Sequence, residues 1–110
     1  MLAVLQEIPK SKTEWDRWSW HHKDSHTRIR QAIQKQKSIN LPEYQLDPIN
    51  LEDIDIFLVH NQETHNEMNA ALSLQGSDLE GIDFNDEAKR AEWFWTHYQE
   101  HRDAENSLGI

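Results

Sequence analysis

The sequence predicts an all-α protein: three principal helices in a small bundle, an N-terminal arm over residues 1–12, and a single domain over residues 13–110 with ordered connecting loops. Three observations lead there. Apolar and histidine side chains recur at steps of three and four along three long segments, the repeat of one helix face. Turn-forming residues cluster between those segments, in "SINLPEYQLDPIN" and "GSDLEGIDFNDE". No stretch shows the alternation expected of a strand, and there are no internal repeats or low-complexity tracts.

The first helix is expected to begin after Thr13, whose hydroxyl can cap the free amides of the opening turn, and to run to about Lys37. Asp16 lies near the positive end of its dipole. Its inward positions are Trp15, Trp18, His22, His26, Ile29 and Ile33. The link that follows carries two prolines, with Ile39, Leu41, Tyr44 and Leu46 as anchors and Asn50 as the next cap.

The second helix is expected from about Leu51 to Leu74, stopped near Gly76. Leu51, Ile54, Phe57, Leu58, Asn61, His65, Met68 and Leu72 form its inner stripe. In the next loop Leu79, Ile82 and Phe84 are apolar anchors, and Asn85 or Asp83 is placed to cap the third helix. That helix runs from about Asp86 to Ser107, turns Ala91, Phe94, Tyr98, His101, Glu105 and Leu108 inward, and ends at Gly109. The N-terminal "LAVL" can dock on a neighbouring chain or fold back on its own domain.

Composition narrows the chemistry. Without cysteine there are no disulfides, thiolate metal sites or cysteine nucleophiles, so stability rests on packing. A mean hydropathy of -0.91 is low for a self-sufficient globule, and five Trp offset part of it with large apolar areas. Residues 1–42 carry eight Lys or Arg against four acids, whereas residues 43–110 carry three against sixteen. That segregation suits packing of a basic first helix beside acidic neighbours, or contact between copies. The acidic majority disfavours nucleic acid. Neither a signal peptide nor a membrane span is expected.

The most informative feature is a polar seam. Five of the seven histidines, His22, His26, His65, His97 and His101, fall on inward helix faces, joined by Asn61, Asn69 and Glu105. Imidazoles four residues apart project together and suit zinc, copper, nickel or iron, so His22, His26, His97, His101 and Glu105 are candidate metal ligands. No His-Glu-x-x-His occurs, and no histidine has Glu three residues before it, as di-iron bundles require. A hydrogen-bonded network without metal or cofactor is therefore the preferred reading. With three glycines, no phosphate loop and no nucleophile context, no enzymatic activity is expected. Trp20, Trp95, Ile56 and Val59 lie off the inward stripes and are candidate partner-binding residues.

Taken together, "WDRWSWHHKDSH", "EYQLDPIN", "HNQETHNEMNAALSLQGSDLEGIDFNDE" and "HYQEHRDAENSLGI" resemble small uncharacterised proteins encoded among the virion genes of tailed bacteriophages. The resemblance spans residues 15–110 and implies a structural or assembly component of the virion, in the neck, tail or capsid. It would be made in the host cytoplasm and contact other virion proteins and copies of itself. A metalloprotein and an adaptor or inhibitor of a host protein are the alternatives.

Overall fold

The computed structural model describes residues 2–44, 54–77, 79 and 82–110. Among them are four helices and no strand: α1 (Ala3–Gln6), α2 (Lys12–Lys37), α3 (Ile54–Ala71) and α4 (Glu87–Leu108). The all-α expectation holds. Leu46, Asn50 and Leu51 lie outside the described residues.

Local chemistry sets the helix ends. α2 starts two residues earlier than the sequence suggests, because Ser11 is the cap in place of Thr13: its hydroxyl accepts from the Glu14 amide at 3.2 Å. It ends at Ser38, which adopts the left-handed conformation at φ 57°. Past the end of α3 the left-handed residue is Ser73 rather than Gly76, and the Leu74 amide returns to the Asn69 carbonyl at 2.9 Å. α4 is capped by Asp86, not by Asn85 or Asp83, its carboxylate accepting from the amides of Ala88 and Lys89. Gly109, at φ 71°, closes it as expected.

The three long helices share one layered order. Going from N- to C-terminus, each carries an aromatic group, then polar groups, then aliphatic ones. In α2 these are Trp15 and Trp18, His22 and His26, Ile29 and Ile33; in α3 they are Phe57, Asn61 and His65, Met68 and Leu72 just past its end. α4 repeats the order with Trp93 and Phe94, His97 and His101, Ala104 and Leu108. Contacts match layer by layer: Trp18 meets Phe57 and Phe94, His22 meets Asn61 and His97, and Gln36 reaches the Leu108 carbonyl. All three helices therefore run in the same direction, which only long connections permit. Residues 38–53 and 72–86 supply them, since about fifteen residues can span up to roughly 50 Å.

Two apolar clusters bracket the polar layer. One joins Leu5, Trp15, Trp18, Phe57, Leu79, Phe84, Trp93 and Phe94; the other joins Ile29, Ile33, Met68, Leu72, Ala104 and Leu108. Leu79 and Phe84 anchor their loop as expected, Leu41 and Tyr44 pack partly, and Ile39 is exposed instead of anchored. Leu74 packs partly against the aliphatic cluster. Trp93 was absent from the expected inward face, yet it is buried among Trp18, Phe57, Phe84 and Phe94.

The short first helix packs back on the long ones. α1 lays Leu5 into the aromatic cluster, fully buried, and the Leu5 carbonyl lies 3.4 Å from the Trp18 indole nitrogen that donates to it. Leu5→Ala should thus cost about 2–5 kcal/mol, read as a lowered midpoint in chemical denaturation. A change under about 0.5 kcal/mol, as at surface positions, would show that α1 is not part of the core.

Candidate metal centre

Five histidines meet in the polar layer: His22 and His26 from α2, His65 from α3, and His97 and His101 from α4. One ring nitrogen from each can be chosen so that all five lie within 4.8 Å of one another. All five side chains are buried. The rings pack at centroid distances of 4.3 Å for His22 and His26, 4.4 Å for His65 and His97, and 4.4 Å for His26 and His101. Trp18 stacks on His22 and Trp93 on His97, walling the layer off from the aromatic end.

Hydrogen bonds orient the rings from outside. His65 Nδ1 donates to Glu100 Oε2 at 3.0 Å, which turns its Nε2 toward the cluster as a lone pair when the ring is neutral. Ser25 donates to Glu105 Oε2 at 2.8 Å, so its oxygen accepts from His101 Nδ1 at 2.8 Å and fixes the same tautomer there. Asn61 spans two helices, with its oxygen 3.2 Å from His22 Nε2 and its nitrogen 3.3 Å from His97 Nδ1.

Five further ring nitrogens are left over. His65 Nε2, His97 Nε2, His101 Nε2, His22 Nδ1 and His26 Nδ1 are buried and without a hydrogen-bond partner. A buried ring nitrogen with no partner costs about 1–3 kcal/mol, so five in one place are a large deficit for packing alone. His22 Nε2 and His26 Nε2 stand 2.9 Å apart. Around a metal with M–N bonds of about 2.0–2.1 Å, neighbouring ligands at right angles lie about 2.9 Å apart and opposite ones about 4.2 Å. The five ring nitrogens that lie within 4.8 Å of one another span a region of the size of one coordination sphere.

Two carboxylates stand behind the imidazoles. Glu100, 5% exposed, accepts from His65, from the Asn69 amide at 3.0 Å and from the Ser77 backbone at 3.1 Å. Burial pulls its carboxyl upward, and the His65 hydrogen bond and charge, with Ser77 and Asn69, outweigh that and hold it below its ordinary value. Gly76 is part of this cradle: a Cβ there would stand 2.5 Å from Asn69 Nδ2 and 3.4 Å from Glu100 Oε1. Its hydrogen is required for close approach, a different role from the helix stop expected of it. Glu105, expected among the ligands, instead reaches His101 through Ser25 and pairs with Arg28 at 3.5 Å. Imidazole ligands would leave the charge of a divalent ion unbalanced, and these two carboxylates stand one layer out to answer it.

Sequence reasoning placed all five histidines on one seam, and the structure adds His65 to His22, His26, His97 and His101, the four singled out as candidate ligands. Ser25 and Glu100 were missed, although each had a signal. Ser25 follows His22 by three residues, and Glu100 follows His97 by three, so each shares its helix face. Trp20, Trp95, Ile56 and Val59 are all more than half exposed and lie outside the cluster. No described helix is long and apolar enough to cross a membrane.

Fold and site together define an all-α domain built around a buried histidine cluster. Compared with family models, curated proteins and solved structures, the chain matches none.

The cluster makes the metal-free protein sensitive to acid. Burial first, then the neighbouring histidines, hold His22, His26, His97 and His101 well below their ordinary value of 6.5, opposed at His22 by the Asn61 hydrogen bond. The unfolded chain takes up protons at these sites near pH 6.5 and the folded chain does not, so stability is full above that pH and declines below it. The slope is up to about 1.4 kcal/mol per histidine per pH unit. Thermal melts of the chelator-treated protein from pH 8 to pH 5 should show the midpoint falling below pH 6.5. A flat profile would contradict neutral burial.

Proposed function

We propose that the protein is a metal-binding helical domain whose five-histidine centre holds one divalent first-row transition-metal ion. The observation that carries this reading is the convergence of five buried imidazoles, one ring nitrogen from each lying within 4.8 Å of the others. Nitrogen donors without thiolate or direct carboxylate suit zinc, copper, nickel or iron over magnesium or calcium. The three long helices are then the metal-holding bundle, with residues 1–12 an N-terminal arm seated on it. The ion ties α2, α3 and α4 at mid-height, where parallel helices joined by long connections most need a tie.

A second role, compatible with the first, is favoured by Trp20 at 61% exposure and Trp95 at 51%, with Ile56 and Val59 also exposed. We propose that this apolar surface makes protein contacts in a tailed-phage particle, in keeping with the resemblance of residues 15–110 to small proteins encoded among virion genes. Recovery at fixed copy number in purified particles would support that role; absence from them would refute it.

The metal reading is tested on untagged protein purified without chelator. Elemental analysis should give about one transition-metal ion per chain, and stripping it should lower the melting temperature by about 10 °C or more, as expected for a ligand near 100-fold above its Kd. His97→Ala and His101→Ala should each reduce the content well below stoichiometry. Metal far below one per chain after reconstitution with zinc or cobalt would overturn the reading.

A further inference from the structure

One carboxylate links the histidine layer to the surface. His65 Nδ1 donates to Glu100 Oε2 at 3.0 Å. Glu100 Oε1 accepts from the Asn69 side-chain amide at 3.0 Å and from the Ser77 backbone amide at 3.1 Å. His65 is 1% exposed and Glu100 5%, whereas Ser77 is an exposed residue of the connection between α3 and α4. A single buried side chain therefore holds a candidate ligand with one oxygen and the outer connection with the other.

The chain around Ser77 is shaped for this contact. Asn69 serves it twice, since its carbonyl accepts from the Leu74 amide at 2.9 Å while its side chain donates to Glu100. Gly76 has no left-handed φ, so close approach alone, with Asn69 Nδ2 2.5 Å from where a Cβ would stand, keeps a side chain out. Two residues past Ser77, Leu79 is buried in the aromatic cluster. The Ser77 contact thus stands directly before the apolar anchor of the connection.

We propose that Glu100 is a positioning residue that couples metal capture to the docking of the connection at Ser77, making that stretch of surface responsive to the metal. The inference rests on the metal reading above and adds a regulation to it. With a metal on Nε2, the Nδ1 proton of His65 becomes a stronger donor, and the carboxylate behind it fixes the ring and raises its basicity. A firmer bond from His65 fixes the carboxylate that Asn69 and Ser77 share. Linkage makes the effect reciprocal: whatever stability the metal gives the Ser77 contact, that contact gives to metal affinity.

The probe is zinc, with affinity read by competition against a chromophoric chelator and the connection read by amide hydrogen exchange at Ser77. Zinc should slow Ser77 exchange by about fivefold or more. The Ile29 amide, inside α2, reports stabilisation of the whole fold. Glu100→Gln should weaken zinc by about 10- to 100-fold, and the Ser77 response should be lost while Ile29 still slows. Gly76→Ala tests the same link without altering Glu100 or any histidine, and should weaken zinc by about fivefold or more with the same loss at Ser77. Zinc bound one-to-one with Ser77 exchange unchanged in the unaltered protein would overturn the coupling while leaving the metal reading standing. Unaltered zinc affinity in both variants would overturn the role of Glu100. Failure to bind zinc would remove the metal reading and this inference with it.

Discussion

The structure depends on keeping five imidazole rings together in a dry interior. Ring nitrogens removed from water must meet a proton, a proton acceptor or a metal. Here the Nδ1 atoms of His65 and His101 are met by Glu100 and by Ser25 backed by Glu105, while their Nε2 atoms are buried without a partner. Glu100 is held in turn by Asn69 and the Ser77 amide, and Gly76 is confined to a hydrogen so that this arrangement can close. The order of groups along every long helix follows from the same demand, because a polar layer in a small core must be level on all three.

The apolar clusters make the demand affordable. Trp18 and Trp93 stack flat on His22 and His97, so the aromatic end acts as a lid that excludes water and sets ring orientation. Ile29, Ile33, Met68 and Leu108 seal the opposite end. In such surroundings His22, His26, His97 and His101 are held toward the neutral form, which is the form that ligates metal. Packing and electrostatics thus work in one direction: the burial that lowers proton affinity prepares the site for a cation that can satisfy all five rings at once.

Much of this was legible in the sequence. Steps of three and four placed His22, His26, His65, His97 and His101 on one seam, and Gly109 marked the end of α4 through its backbone freedom. Helix starts were less legible, since Ser11, Thr13, Asp83, Asn85 and Asp86 can all cap and only local geometry selects among them. The register between helices was hidden, because periodicity gives the face of a helix and not its height or direction. Hence His65 could be called inward but not a fifth partner, and Glu105 could not be told from Glu100. Trp93 was missed because a densely aromatic stretch, "WFW", hides which ring faces the core.

The central claim is that one ion can satisfy the five inward imidazoles together. X-ray absorption spectroscopy of the zinc- or cobalt-loaded protein measures this directly, through the number, type and distance of atoms around the metal. The account predicts a shell dominated by imidazole nitrogen, about five of them at about 2.0–2.2 Å, with the outer-ring scattering that histidine produces. A shell dominated by oxygen, or one with fewer than three imidazoles, would place the ion elsewhere and leave the histidine layer as packing alone.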